Sequence, residues 1–386
     1  MTNIKELDEK FVANTYGRFP IEIVKAKGAT VTDSNGKKYI DLGTGIGVTA
    51  LGQGDKEWLK AVIGQLKKYQ HTSNLYYTSP CVLLAEKLVE KTGLKKVFFG
   101  NSGAEANECA IKVARKYKED QGIFGAKIIT LKNSFHGRTI TTLSATGQDK
   151  FHENFLPLTD GFIYVNANDI EEVKKVLETE NVAGVLIECV QGEGGVNVLE
   201  KDYVTSLYNL CKEKDVLFMV DEVQTGNGRT GTLYAYMNYG ILPDVVTTAK
   251  GLGGGLPIGA CMLGEKVENT LTKGSHGSTF GGNPVCAAGA LSIISRLDEK
   301  FLEQVKVKSQ YVFNALKGAD GIESVSGLGL MIGIKTKKPC KEVLDYCMNN
   351  GVLVLTAKDK IRLLPPLNIS LKELEKGISI IKNACK

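Results

Sequence analysis

The apolar positions of this chain follow two rhythms. Short unbroken runs have the length and β-branched content of buried strands: KVFFG from Lys96, KIITL from Lys127, FIYV from Phe162, GVLIECV from Gly184, VLFMVDEV from Val216, PDVVTTA from Pro243 and ACMLG from Ala260. Between many of them lie stretches with one apolar face at helical spacing, such as AEANECAIKVARKYKE, DIEEVKKVLE and YVTSLYNLCKEKD. Strands that are apolar on both faces, alternating with amphipathic helices, predict an α/β protein. Its sheet should be largely parallel and covered by helices on both sides.

The two ends break this rhythm. Up to about residue 45 the chain carries short strand-like pieces, ATVTDSNGKKYIDLG, with an Asn35-Gly36 turn signal. After NPVCAAGALSIISRL come helices and the runs LMIGI, VLVL and IRLLP, the makings of a smaller α+β unit. The chain therefore divides into a large domain over 46–285 and a small domain built from 1–45 and 286–386.

Composition excludes several functions. Hydrophobic residues at 43%, charged residues at 24% and a net charge of +5 belong to an ordinary globular protein. Lysines alternate with acids, as in EEVKKVLETE, so neither nucleic acid nor an anionic membrane is an expected partner. The opening MTNIKELDEKF is charged where a secretory signal would be apolar, and no apolar run reaches membrane-spanning length. The nine cysteines are scattered, odd in number and never spaced C-x-x-C, which suits free thiols in a reducing cytoplasm. The four histidines show no metal-ligand spacing, so no zinc site is expected.

In such sheets ligands gather where strand C-termini open into loops, and several polar segments fall there. After KVFFG, the residues Asn101, Ser102, Gly103 and Ala104 lead into a helix. Small residues at a helix N-terminus suit an anion such as phosphate; a plain N-cap by Ser102 explains the same letters. VLFMVDEV carries Asp221 and Glu222 at the end of a hydrophobic strand, where a carboxylate needs a partner to stay ionised. The glycines of GNGRTG from Gly226 match a dinucleotide fingerprint only weakly, because no amphipathic helix follows at once and the acids precede the glycines. Phe135 and Arg138 in FHGRT could stack on a flat ring and grip a carboxylate, or be a core Phe beside a surface Arg. His136 between them has no visible partner and reads as structural.

Lys250 stands alone between PDVVTTA and GLGGG. An ammonium is costly to desolvate at a strand end, and bare backbone after it lets a ligand come close. A ring stacker, a phosphate turn, a strand-end carboxylate and a lone amine together suggest pyridoxal phosphate.

The segments NSGAEANECAIKVAR, FHGRT, VQGEGG, DEVQTGNGRTG, AKGLGGGLPIGA and GSTFGGNP carry a resemblance to a known family. Over nearly its whole length, from NTYGRFP to IRLLPPLNIS, the chain resembles the class III pyridoxal-phosphate-dependent aminotransferases. The resemblance implies the fold type I architecture of pyridoxal-phosphate-dependent transferases and a ping-pong transamination. Lys250 would then bond the aldehyde of pyridoxal 5'-phosphate, and Asp221 would face its ring nitrogen, with Glu222 beside it in the cofactor site. Ser102, Gly103 and Ala104 would hold the phosphate, with Phe135 and Val223 on the two ring faces and Gln224 at the ring hydroxyl. Thr279 would reach the phosphate of a neighbouring subunit, with Ser278 beside the substrate, which implies a homodimer with shared sites. Arg138 and Arg362 would bind the two substrate carboxylates, and Glu193 would pair with Arg362. The implied substrates are N-acetyl-L-ornithine, a donor in arginine biosynthesis, and 2-oxoglutarate; ornithine, succinylornithine and 4-aminobutyrate are the alternative donors. The family's Gly-His-x-His-Pro stretch is replaced here by LGQGDKEW, which bears on local packing around Gln53 and Asp55. An aminomutase would share Lys250 and Asp221, a nicotinamide-dependent dehydrogenase would rest on the glycine match alone, and a non-catalytic relative would be expected to lack one of the two residues.

Overall fold

A computed structural model describes residues 4–386, so the first three residues of the expected small domain and of the charged opening lie outside the described residues. The seven apolar runs become the seven strands of one sheet. In chain order, three short strands come first: β1 (Ile23–Lys27), β2 (Thr30–Asp33) and β3 (Lys38–Asp41). The large sheet then collects β4 (Lys96–Gly100), β5 (Lys127–Leu131), β6 (Phe162–Val165) and β7 (Val182–Ile187). A small hairpin, β8 (Val190–Gln191) with β9 (Asn197–Val198), precedes β10 (Leu217–Asp221), β11 (Val245–Thr248) and β12 (Gly259–Leu263). The sheet order is β4-β12-β11-β10-β7-β5-β6, and β12 alone runs against the others.

Every residue of β7, β10, β11 and β12 is buried. That explains why these strands read as unbroken apolar runs rather than as an alternating pattern. The helix Gly103–Glu119 covers β11 and β12 with a face of small residues, Ala106, Ala110 and Ala114, that lets helix and sheet approach closely. Placing a charge at a position such as Val185, which is wholly buried, would strand it without a partner and cost several kcal/mol.

The chain ends meet. After β13 (Ile322–Leu328) and β14 (Met331–Thr336), β15 (Val352–Leu353) pairs in parallel with β3, Val352 opposite Ile40. β16 (Leu355–Ala357) and β17 (Lys360–Leu363) complete an antiparallel sheet with β13 and β14. The Asn-Gly signal marks the β2–β3 turn, where the Asp33 carboxylate accepts from the amides of Asn35 and Lys37, both at 2.9 Å.

Residues 44–47 wind the opposite way from an ordinary helix. Thr44, Gly45, Ile46 and Gly47 have φ of 49°, 62°, 65° and 76°, costly for the two residues that are not glycine. Fixed partners offset the cost. The half-buried Asp41 carboxylate accepts from the amides of Gly43 and Thr44 at 2.9 Å, and the Thr44 hydroxyl donates to the Leu364 carbonyl at 2.7 Å. This turn touches the turn that begins at Lys250. The replaced histidine stretch has local duties too: Asp55 caps the helix Lys56–Leu66 and pairs with Arg296 at 2.9 Å, while Gln53 bridges to Gly28 through backbone.

Candidate active site

The C-terminal ends of β4, β10 and β11 open into one cavity of about 450 Å³. Ser102, Gly103, Ala104, Phe135, Arg138, Asp221, Val223, Gln224 and Lys250 all line it. The geometry at the mouth of β4 combines both sequence explanations. Ser102 is an N-cap, accepting from the Glu105 amide at 3.2 Å, yet the same turn faces the cavity. The first amide bonded back to this turn is that of Ala106, so those of Gly103 and Ala104 precede the intrahelical ladder. Gly103 is required here: a Cβ would stand 2.6 Å from Val223 Cγ1.

Asp221 ends β10 inside a hydrogen-bonded set. Its Oδ2 accepts from Asn107 Nδ2 at 2.7 Å and from His136 Nδ1 at 2.8 Å, and its Oδ1 accepts from the Val223 amide at 3.0 Å. Three donors thus converge on a carboxylate that is only 3% exposed. Asn107 is itself oriented, accepting from the Thr247 hydroxyl at 2.6 Å and donating to the His136 carbonyl at 2.7 Å. A carboxylate can only accept, so His136 Nδ1 carries the hydrogen; Nε2 is buried without a partner among the described residues.

Glu222 is not brought into the cavity. Neighbouring side chains at a strand end point to opposite sides. Asp221 takes the cavity side, and Glu222 is fully buried, accepting from the Thr225 hydroxyl at 2.5 Å and the Tyr236 amide at 2.8 Å. Burial pushes its carboxyl up to about 7. The glycine loop that follows is likewise no dinucleotide site: Asn227 donates to Thr248 and Ala249, and the buried Arg229 donates to the carbonyls of Leu330 and Pro365.

Lys250 has φ of 44°, a conformation few side-chain-bearing residues adopt, and begins a tight turn after β11. Among the described residues its amine takes no hydrogen bond or ion pair. Burial lowers its pKa, while the charges of Glu193 and Asp221 pull the other way. An amine held this way is more readily neutral and nucleophilic than an exposed lysine.

Two arginines differ in their partners. Arg362 on β17 is 3% exposed; its Nη1 donates to Glu193 Oε1 at 2.6 Å and to Gln224 Oε1 at 3.1 Å, while its Nε is buried with no partner among the described residues. Burial would raise the Glu193 pKa, but the Arg362 charge and hydrogen bond outweigh it and hold the carboxyl below its ordinary value. Arg138 is exposed, with no ion pair or hydrogen bond among the described residues. Ser278 and Thr279 do not line this chain's cavity. The Ser278 hydroxyl accepts from Asn101 Nδ2 at 3.0 Å, beside the turn at Ser102 and Gly103, and Thr279 is exposed.

Sequence reasoning missed three side chains around the cavity. Asn107 sits within a helix, where its letter looks like any polar position. His136 was set aside for want of a partner that only folding supplies. Glu188, at the end of β7, lines the cavity and accepts from the Phe135 amide at 2.9 Å. Burial and then the Asp221 charge raise its pKa well above the carboxylate range.

A cavity with a small-residue turn, a strand-end carboxylate and a nucleophilic lysine defines a class, and comparison with known proteins agrees. The model of the class III aminotransferases matches residues 11–385, and the chain belongs to that family. It is 50% identical to an acetylornithine aminotransferase of Haemophilus ducreyi, over 98% of this chain and 97% of that protein. Among solved structures it resembles the N-acetylornithine aminotransferase of Stenotrophomonas maltophilia, with TM-score 0.85, 34% identity and coverage of 98% and 97%. It also resembles the ornithine aminotransferase of Toxoplasma gondii ME49, with TM-score 0.95, 32% identity and coverage of 99% and 94%.

Proposed function

We propose that this aminotransferase moves the terminal amino group of N-acetyl-L-ornithine to 2-oxoglutarate, giving N-acetyl-L-glutamate 5-semialdehyde and L-glutamate, a step of arginine biosynthesis. Pyridoxal 5'-phosphate is the cofactor that fits the cavity. Space kept open by Gly103, the amides of Gly103 and Ala104, the Asp221 carboxylate and the unpartnered Lys250 amine are the features that group needs. Bound there, it supplies an aldehyde that condenses with amines and a ring that takes up electrons when a neighbouring carbon loses its proton. The chain's part is to hold it and to move protons. Lys250 would hold the aldehyde until a substrate amine displaces it, and the freed amine would then carry the proton between substrate and cofactor carbons. Asp221 would face the ring nitrogen, Phe135 and Val223 would flank the ring, and Gln224 would meet its hydroxyl.

The observation that carries the substrate assignment is the Arg362–Glu193 pair, whose charges act on the Lys250 amine from outside the cavity lining, with Arg138 unpaired on the cavity wall. Two substrates must share one cavity. Acetylornithine enters with its terminal amine at Lys250 and its one carboxylate at Arg138. Glutamate brings a carboxylate to each arginine. An uncompensated Arg362 would draw the single carboxylate of acetylornithine to the wrong end; Glu193 prevents this and yields when glutamate or 2-oxoglutarate arrives. The partnerless Nε of Arg362 is a donor ready for that second carboxylate.

Removing the gate is therefore expected to act unequally. Glu193→Gln should slow the acetylornithine half-reaction, on the order of a hundredfold, and leave the glutamate half-reaction equal or faster. Single-turnover rates of the two half-reactions check it; equal losses in both would rule the gate out. The substrate itself is tested by kcat/KM for acetylornithine, ornithine and 4-aminobutyrate with 2-oxoglutarate as acceptor. A clear preference for an unacetylated amine would overturn the named donor and leave the transaminase reading standing.

Shared sites in a homodimer are supported by one surface. Asn74 donates to the carbonyls of Ser278 and Gly281, so the exposed Leu75, Tyr76 and Tyr77 adjoin the loop bearing Thr279 and the exposed Phe280. An apolar patch of this kind, continuous with site residues, fits a second copy of the chain. Lys250→Ala and Thr279→Tyr chains, each nearly inactive, should regain activity when mixed and allowed to exchange; no recovery despite proven exchange would exclude shared sites.

A further inference from the structure

Phe151 lies outside the cavity lining and in a stretch, DKFHENF, that shows no chemical motif. It ends the short turn Asp149–Phe151, whose chain is fixed on both sides. The Phe151 amide donates to the Gln148 carbonyl at 3.0 Å, and Gln148 Nε2 donates to the Ser134 carbonyl at 2.9 Å, next to the loop that carries Phe135 and Arg138. The ring so placed does two things. It meets Phe135 edge to face, with centroids 5.6 Å apart and planes at 71°. It also receives the Arg138 guanidinium, whose Cζ lies 4.3 Å from its centroid and 5.6 Å from that of Phe135.

An arginine with no hydrogen bond or ion pair has many rotamers to lose when a ligand arrives. Two aromatic faces remove part of that freedom beforehand, since a cation within about 6 Å of a ring centroid is attracted to the ring face. The attraction uses no hydrogen bond, so the N–H donors that grip a planar carboxylate remain unspent. Lys150, outside the cavity lining, stands 4.7 Å from the same Phe151 ring, so a second cation lies near Arg138. A carboxylate is welcome there, and the free α-ammonium of ornithine is not.

We propose that Phe151 is the positioning residue for Arg138: it presents the guanidinium edge-on to the carboxylate farthest from the reacting amine, and so sets the selection of substrates carrying one. The inference rests on the reading that Arg138 takes that carboxylate. Phe151 acts through Arg138 and touches no reacting atom. Phe135 cannot be varied to ask the question, because it also lines the cavity.

The test uses the holoenzyme and four chains: the parent, Phe151→Leu, Phe151→Tyr and Arg138→Gln. Glutarate, a dicarboxylate with no amine to react, is titrated by the change it causes in the visible absorption of the bound cofactor. KM and kcat are measured for acetylornithine and 2-oxoglutarate. Phe151→Leu is expected to raise the glutarate Kd and both KM values about fivefold, with the change falling on KM more than on kcat. Phe151→Tyr, which keeps the ring face, should restore the parent's values. Arg138→Gln should weaken glutarate more than Phe151→Leu does. If Arg138→Gln weakens glutarate and Phe151→Leu does not, the positioning role is overturned while the Arg138 reading stands. If neither weakens it, both fall. A Phe151→Leu chain that loses kcat and thermal stability with KM unmoved would make Phe151 ordinary packing and would also overturn the proposal.

Discussion

Replacing Lys250 with alanine should abolish turnover, by at least about 10⁴-fold, and leave a folded protein that still takes up pyridoxal phosphate. One amine would join two roles. As a nucleophile Lys250 would bond the cofactor; as a base it would move the proton whose removal defines the reaction, and general acid–base help alone is worth about 10²–10⁴. Its surroundings fit both. Burial lowers the amine's pKa, and among the described residues nothing hydrogen-bonds to it that would have to be broken first. Phosphate binding, in contrast, would depend on the turn at Gly103, so the alanine chain should hold the cofactor reversibly. Gel filtration after borohydride treatment separates the cases. The parent should keep the label on the peptide containing Lys250, and the variant should lose it. A label mapped to a different lysine in the parent would end the assignment.

Asp221→Asn should cost about 10³-fold in the first half-reaction, roughly 4 kcal/mol, with a smaller loss of cofactor affinity. The shape is nearly kept, but the charge that stabilises a protonated ring nitrogen is gone. The surrounding donors add a second cost. Oδ2 accepts from both Asn107 and His136, and Oδ1 from the Val223 amide. An amide can offer its oxygen to only one side, so its NH₂ must face a donor on the other. One unmade buried hydrogen bond should lower stability by about 1–3 kcal/mol. Single-turnover kinetics and a melting curve read the two effects separately. Near-parent rates in a destabilised protein would mean that Asp221 orders the site without acting on the ring.

The large sheet was legible because its strands are covered on both faces, which leaves only apolar letters to write them with. Lys250 was legible for the opposite reason: a lone charge where every neighbour is apolar or glycine is an anomaly with few explanations. What stayed hidden depends on partners distant in the chain. Asn107 and His136 matter because they converge on Asp221, 114 and 85 residues away in sequence. Glu188 reads as one polar letter inside the apolar run GVLIECV, and only the fold shows that it faces the cavity. Asp221 and Glu222 are adjacent and chemically alike. No local rule says which one faces the ligand until the strand's orientation is known. The cation–π contacts of Phe151 are beyond periodicity altogether, since its turn has no repeating pattern to read.

The pairing of β3 with β15 has a consequence for how the protein is made. Residues near 40 leave the ribosome about 310 residues before their parallel partner at Val352 and Leu353. The left-handed turn that follows β3 also waits, because its Thr44 hydroxyl is held by the carbonyl of Leu364. Contacts this far apart in sequence close late, after the entropy of the intervening loop has been overcome. The large sheet can assemble while β3 still lacks this partner, and the wall beside Lys250 is finished only once Leu364 has emerged. A polypeptide stalled before Val352 should have its central sheet in place and the segment β1 to β3 open to protease, with no competent amine site until β15 and β17 are added.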